Sequence, residues 1–191
     1  MISPHSDDLY ENVITDFLSL TVCRDLTTTP TRCYFPKDLL KNFNDDELKE
    51  LLAMKAVYIS GKNVQGPPIR KVRPIVEYEE EFGFVFNFDF RVDKITGERM
   101  AAFNPSQQYL IDKLRKDVEE CPFETSLTKT GTFFILANRK VMHARAPVDI
   151  DKACAPTSKS LESPLTAPRL LYRSKGSRVS FSFEHITAMT L

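Results

Sequence analysis

Residues 82–91 read FGFVFNFDFR, with Phe82, Phe84, Phe86, Phe88 and Phe90 at every second position and Gly83, Val85, Asn87, Asp89 and Arg91 between them. A period of two belongs to a β-strand, whose successive side chains point to opposite faces. The segment therefore predicts a strand with one aromatic and one largely polar face, separating a packed layer from a polar cleft or solvent. Fourteen Phe and twelve Pro against only six Gly fit a core of strands punctuated by turns.

Other segments extend the pattern. Residues 16–23, DFLSLTVC, alternate as a half-buried strand, with Phe17, Ser19 and Thr21 on one face and Leu18, Leu20 and Val22 on the other. Asn44 can cap a helix over DDELKELLAM, with Glu47 completing a capping box and Leu48, Leu51 and Leu52 forming the apolar stripe. Residues 57–60 and 69–78 read as strands around a Gly-Pro-Pro turn at 66–68. Asn104 caps a second helix with Pro105 at its first position. Leu110, Leu114 and Val118 recur at four-residue spacing, and Cys121-Pro122 ends it. TFFILA at 132–137 predicts a buried strand, Asn138-Arg139 a turn, and KVMHAR at 140–145 a further strand. Residues 149–168 have no period and read as a long loop, before strands at 169–173 and 178–186. There is no internal repeat. Two helices among many short strands imply a mainly antiparallel barrel or sandwich, and 191 residues imply a single domain, 1–191.

Charge narrows the partners. With 26 Lys+Arg against 26 Asp+Glu, no basic field favours nucleic acid or a membrane surface. No apolar run is long enough to span a bilayer, and the acidic start MISPHSDDLYEN lacks the apolar core of a signal peptide, so the expectation is a cytoplasmic protein. Cys23, Cys33, Cys121 and Cys154 are widely spaced and read as reduced and structural. No phosphate loop and no nucleophile elbow is present.

Three histidines, His5, His143 and His185, bound the metal chemistry. In an extended Pro4-His5-Ser6-Asp7, residues two apart share a side, so His5 and Asp7 could reach one ion together. A third ligand completes two imidazoles and a carboxylate on one face of an octahedron, the arrangement that leaves sites open for a co-substrate and O2 on non-haem Fe(II). Taken alone, His-x-Asp is weak evidence, and the plainer reading of His5 is a solvent-exposed residue on a frayed terminus. In RLLYR, Arg169, Leu171 and Arg173 share one face, so two guanidiniums could enter one pocket and grip a carboxylate. The plain counterpart is an outward-facing charged strand. His185 shares its strand face with Val179, Phe181 and Phe183 and reads as a core or interfacial residue. Cys154, without an adjacent base, is incidental.

In order, His5-x-Asp7, DFLSLTVCRD, NRKVMHAR ending near His143, and PRLLYR resemble the Fe(II)/2-oxoglutarate-dependent oxygenases of the clavaminate synthase-like group. Within it the chain is most similar to the hydroxylases of free arginine, asparagine or lysine. The resemblance covers the chain from about His5 to Arg173. It implies a double-stranded β-helix (jelly roll), with His5, Asp7 and His143 binding iron and acting in catalysis. It also implies Arg169 on the distal carboxylate of 2-oxoglutarate and Arg173 at a second basic position of the same strand. The hydroxyl residue that helps hold that carboxylate falls on Thr31, counting back from PKDLL, with Thr29 the neighbouring alternative. The acidic residue on the substrate side matches Asp89, which would pair with a substrate amine or guanidinium. The reaction so implied is hydroxylation of a C–H bond of a free amino acid or related small amine, consuming O2 and 2-oxoglutarate and releasing succinate and CO2.

The chain also departs from that pattern. His143-Ala144-Arg145 stands for the usual His-Gly-Arg, Thr132 for an acidic residue, and Leu170 for a Trp. Relatives of the group carry a core strand before their first metal ligand, whereas four residues precede His5, so the expectation is a jelly roll incomplete at its N-terminus with two ligands on a fraying segment. Two other readings follow from this. One is a catalytically inactive jelly-roll fragment serving as a binding or dimerisation module, a homodimer included. The other is a barrel that binds an anion through Arg169 and Arg173 without iron.

Overall fold

The structure is a computed structural model. It describes residues 2–27, 29–61, 64–80, 83–120, 123–125, 129–148, 169–177, 181–182 and 186–188. In chain order the strands are β1 (Ile2–His5), β2 (Phe17–Asp25), β3 (Thr31–Tyr34), β4 (Lys55–Ile59), β5 (Arg70–Pro74), β6 (Val76–Glu79), β7 (Gly83–Phe86), β8 (Val92–Asp93), β9 (Gly97–Glu98), β10 (Met100–Ala102), β11 (Phe123–Thr125), β12 (Phe133–Ala137), β13 (Met142–Arg145), β14 (Arg169–Gly176), β15 (Phe181–Ser182) and β16 (Ile186–Ala188). The helices are α1 (Pro36–Leu39), α2 (Asp45–Ala53) and α3 (Gln108–Glu120).

Two antiparallel sheets frame the site. One runs β1-β13-β3-β11, and the other runs β12-β2-β14-β15 with β16 also on β14. Three smaller sheets, β10-β4-β5, β6-β7 and β8-β9, join the helices beside them. Helix α2 begins as its sequence dictates: Asn44 accepts from the N–H groups of Asp46 and Glu47, and Glu47 accepts from the Asn44 N–H, closing the capping box. Of its leucines only Leu51 is fully buried, while Leu52 faces outward. Asn104 caps the turn Pro105–Gln107 that leads into α3, and Leu110, Ile111 and Leu114 of α3 are fully buried. Burying each such side chain is worth about 1.5–3 kcal/mol. These helices cover a core that includes Tyr58, Ile75, Phe86, Phe88, Phe90 and Met100.

The Phe-rich segment departs from the single two-faced strand. β7 stops at Phe86, and beyond it the only ladder contact among the described residues is the bridge between Asp89 and His5. Phe86, Phe88 and Phe90 keep one face, with centroids 5.8 and 6.0 Å apart along the row, whereas Phe84 is 51% exposed. The intervening Val85, Asn87 and Asp89 are buried as well. Both sides are covered, so this segment is interior. Asn87 donates inside to the Pro74 carbonyl at 2.9 Å and to Glu77 at 2.5 Å, while its Oδ1 meets no hydrogen-bond partner among the described residues. Residues 69–78 likewise divide at Ile75, whose N–H leaves the ladder for the Met54 carbonyl at 3.3 Å.

The apolar run at 132–137 is an edge strand with one open face: Phe133 and Ile135 are 59% and 57% exposed, and Leu136 faces in. Cys23 and Cys33 are unpaired thiols, and burial pushes Cys33 up to about 11. The expected loop at 149–168, most of 178–186 with His185, and Cys121 and Cys154 lie outside the described residues. Among the described residues no helix is long and apolar enough to cross a membrane.

Candidate metal centre

The segment carrying His5 and Asp7 is paired on both sides, contrary to the fraying expected of it. On one side β1 lies antiparallel to β13, with His5 opposite His143. On the other, the Ser6 N–H donates to the Phe88 carbonyl at 2.7 Å and the Phe90 N–H donates to the Pro4 carbonyl at 3.0 Å. The interior position of the Phe-rich segment is thus what holds the N-terminal residues. Register then sets the two imidazoles side by side, with ring centroids 4.3 Å apart.

His5, Asp7 and His143 are all buried and bring one ligand atom each within 4.8 Å of one another. His5 Nδ1 donates to the Ser3 carbonyl at 2.8 Å, which turns Nε2 to face Asp7 Oδ1 at 3.4 Å. Burial, with the neighbouring His5, pushes His143 down to about 3, so that ring stays neutral. For Asp7, burial pulls upward, but the hydrogen bond with His5 and the neighbouring Arg173 charge outweigh it and hold the carboxyl well below its ordinary value. A metal ligand has to be deprotonated, and Asp7 and His143 meet that condition. Two imidazoles and one carboxylate match the donor set of a non-haem Fe(II) site.

Asp7 owes its place to residues far away in sequence. The Asn138 side chain accepts from the Asp7 N–H at 2.8 Å and donates to the Asp7 and Thr15 carbonyls at 3.2 and 2.7 Å. Arg173 donates to Asp7 Oδ2 at 3.4 Å, leaving Oδ1 toward the imidazoles. The next residue, Asp8, has φ 62°, a left-handed conformation that redirects the chain away from β1. Its carboxylate accepts from Lys175 at 2.8 and 3.0 Å and from Thr15. Arg73 fastens the following turn by donating to the Leu9 carbonyl at 2.7 Å and to the Glu11 carbonyl.

A cavity of about 140 Å³ opens between the two main sheets, lined by His5, Thr31 and His143 from one and by Leu20, Arg169 and Arg173 from the other. Arg169, Leu171 and Arg173 all reach it, which is the shared face that their alternation predicts, and Arg145 joins them from β13. No acidic side chain lines it among the described residues. Arg169 is fully buried, with Nε 3.1 Å from Asp25 Oδ2, and its two terminal nitrogens meet no hydrogen-bond partner among the described residues. Burying a guanidinium with two unmet nitrogens is costly, and a carboxylate ligand would relieve that cost. Thr31 lines this cavity, whereas Thr29 is buried away from it.

Asp89 does not lie on the cavity. Its carboxylate is gripped by Arg91 through Nε at 2.8 Å and a terminal nitrogen at 2.7 Å, with Arg99 Nε at 3.6 Å. Two arginines of its own chain thus face the carboxylate whose expected partner was a substrate amine or guanidinium. The parts that one-dimensional reasoning missed are Asn138, Arg91, Arg99, Arg73 and Lys175. Asn138 was visible only as a turn residue, because its partner Asp7 lies 131 positions away.

No protein-family model matches the chain, and no curated protein matches it. Solved structures do. An asparagine oxygenase in complex with Fe(II), (2S,3S)-3-hydroxyasparagine and succinate superposes with a TM-score of 0.60 at 16% identity, over 75% of this chain and 43% of that one. The non-haem iron oxygenase OrfP in complex with Fe, succinate and (3S)-hydroxy-L-Arg gives 0.59 at 16% identity, over 78% and 44%. AAD-2 in complex with Mn(II) and N-oxalylglycine gives 0.65 at 13% identity, over 91% and 68%. The chain spans less than half the length of the first two. These likenesses show its fold, the antiparallel jelly roll of those oxygenases.

Proposed function

We propose that this chain is the core of an Fe(II)- and 2-oxoglutarate-dependent oxygenase that hydroxylates a C–H bond of a free amino acid or related small molecule. One observation carries the reading: a buried guanidinium with two unmet nitrogens, Arg169, lines the same cavity as two histidines of a His-Asp-His cluster. That pairing is what a dicarboxylate chelated at a metal would need. The complexes of the fold neighbours support it, since succinate is the product of 2-oxoglutarate decarboxylation and N-oxalylglycine is an isostere of 2-oxoglutarate.

In this reading His5, Asp7 and His143 hold the iron. Arg173 keeps Asp7 turned so that Oδ1 faces it. Arg169 pairs with the distal carboxylate of 2-oxoglutarate, and the Thr31 hydroxyl donates to the same group. Leu18, Leu20 and Leu171 give the cavity apolar walls that exclude water from the bound co-substrate. When bound, iron and 2-oxoglutarate supply the oxidising chemistry that turns O2 into a substrate hydroxyl, succinate and CO2. Hydroxyasparagine and hydroxyarginine in two of the neighbours make an amino acid the natural substrate class to test first.

The test is an anaerobic titration with Fe(II) and then 2-oxoglutarate, followed by the visible charge-transfer absorption of the chelate. The expected band is lost in His143→Ala and needs at least tenfold more 2-oxoglutarate in Arg169→Ala. A folded parent protein without the band would refute the oxygenase reading. Carboxylate binding that survives chelators would favour the metal-free anion barrel instead.

A further inference from the structure

Arg169 is a long side chain buried at the start of β14, and its terminal nitrogens can grip a carboxylate only if the guanidinium keeps one orientation. Register sets its first neighbour: Arg169 lies directly opposite Asp25, the last residue of β2. The Arg169 Nε stands 3.1 Å from Asp25 Oδ2, and the two side chains are 1% and 0% exposed. The other carboxylate oxygen is occupied by its own segment, since Asp25 Oδ1 accepts from the Thr27 N–H at 2.9 Å and from the Thr27 hydroxyl at 2.8 Å. Thr27 Oγ1 in turn accepts from the Thr29 N–H at 3.2 Å, and Asp25, Thr27 and Thr29 are all buried. The Pro30 carbonyl accepts from the Ala146 N–H at 3.2 Å, and Thr31 after it lines the cavity. Burial lowers Arg169 from its ordinary value, and the Asp25 charge works against that.

From this geometry we infer that Asp25 is a positioning residue for the co-substrate: it engages Arg169 on the Nε side and leaves both terminal nitrogens to the distal carboxylate of a dicarboxylic 2-oxo acid. A guanidinium carries donors on more than one edge, so one carboxylate beside Nε does not exclude a second at the terminal pair. Thr27 supports the arrangement by fixing the Asp25 carboxylate. The residues that anchor Asp25 also lead into Thr31, so both groups assigned to the distal carboxylate depend on one stretch of chain. Without the Asp25 charge, the buried guanidinium would be uncompensated in the empty site and free to turn from its place. The effect is confined to the far end of the co-substrate, because Asp25 forms no hydrogen bond or ion pair with His5, Asp7 or His143. This inference rests on the oxygenase reading and deepens it, by naming what makes the cavity select a dicarboxylate.

The test compares 2-oxoglutarate with 2-oxovalerate, which has the same chain length and no distal carboxylate, binding to protein loaded anaerobically with Fe(II) and read through the charge-transfer band. The parent should bind 2-oxoglutarate more tightly by about tenfold or more. Asp25→Asn should weaken 2-oxoglutarate by about the same factor and leave the 2-oxovalerate and Fe(II) affinities within about twofold, whereas a merely structural lesion would weaken all three. Asp25→Glu should recover part of the loss. Thr27→Val should shift 2-oxoglutarate alone by a smaller factor, and it carries the same comparison if Asp25→Asn does not fold. A second measurement needs neither metal nor co-substrate: Asp25→Asn should lower the urea midpoint of the apo protein in the parent background and much less in an Arg169→Met background. A parent that binds the two acids alike, 2-oxoglutarate affinity untouched by both Asp25→Asn and Thr27→Val, or equal midpoint losses in the two backgrounds would overturn the inference while leaving the oxygenase reading intact. A parent protein that forms no band with 2-oxoglutarate refutes the oxygenase reading and this inference together.

Discussion

Asn138→Ala removes a side chain that touches no ligand atom, yet it should cost the protein both stability and its metal. The amide accepts one hydrogen bond from the Asp7 N–H and donates to the Asp7 and Thr15 carbonyls, and it is fully buried. A buried hydrogen bond contributes about 1 kcal/mol net, and a buried group left without a partner costs about 1–3 kcal/mol. Three bonds lost at once therefore put the loss at roughly 3–6 kcal/mol, a large share of the ~5–15 kcal/mol that holds a domain folded. The effect should also reach the centre, because the lost bonds fix the backbone from which the Asp7 carboxylate projects. The assay is urea denaturation with and without Mn(II). Metal at 100 times its Kd should add ~2.7 kcal/mol to the parent, and the variant, with weakened affinity, should gain less at the same concentration. Asn44→Ala is the control: it breaks the exposed α2 cap at a cost of about 1 kcal/mol and should leave the metal increment unchanged. An Asn138→Ala protein within ~1 kcal/mol of the parent, with the full metal increment, would refute the argument that this amide positions Asp7.

Two further predictions concern the apo protein. His143 is held neutral down to about 3 against an ordinary 6.5, so between those values the unfolded state binds the proton that the folded state refuses, and stability should rise with pH across that window. Asp7, lowered in the fold, stabilises above its ordinary value and loses this contribution on acidification, so both groups act in the same direction at low pH. Replacing His143 by Asn should flatten the slope between pH 4 and 6.5, which approaches about 1.4 kcal/mol per pH unit for one proton, and an unchanged slope in urea midpoints against pH would refute this. Phe88→Ala should cost ~3–5 kcal/mol, since the ring is fully buried between Phe86 and Phe90. A thermal shift typical of a surface substitution would show that the row is not the core element described here.

The division between what was legible and what was not follows the range of each interaction. Caps are local, so Asn44 with Glu47 and Asn104 with Pro105 mark their helix starts within three residues. Alternation is local too, and it correctly put Arg169, Leu171 and Arg173 on one face and Leu18 and Val22 inside. Period alone cannot say how many faces of a strand are covered, because that depends on what packs against it. Residues 132–137 were expected to be buried and form an edge with one open face. The Phe-rich segment was expected to have a polar face on a cleft or solvent, and from Val85 to Phe90 it is interior on both sides.

The residue types of the centre, two imidazoles, a carboxylate and two arginines on one strand face, and the fold class they imply, were determined by the chain's own order of segments. Tertiary structure decided the rest. Only sheet register sets His5 opposite His143, and only packing brings Asn138 to Asp7 across 131 positions and Arg173 to Asp7 across 166. The same packing set Asp89 against Arg91 and Arg99. The physical reason is that a side chain's type and local period are encoded within a few residues, whereas its protonation, its partners and the direction it faces depend on which distant groups share its burial.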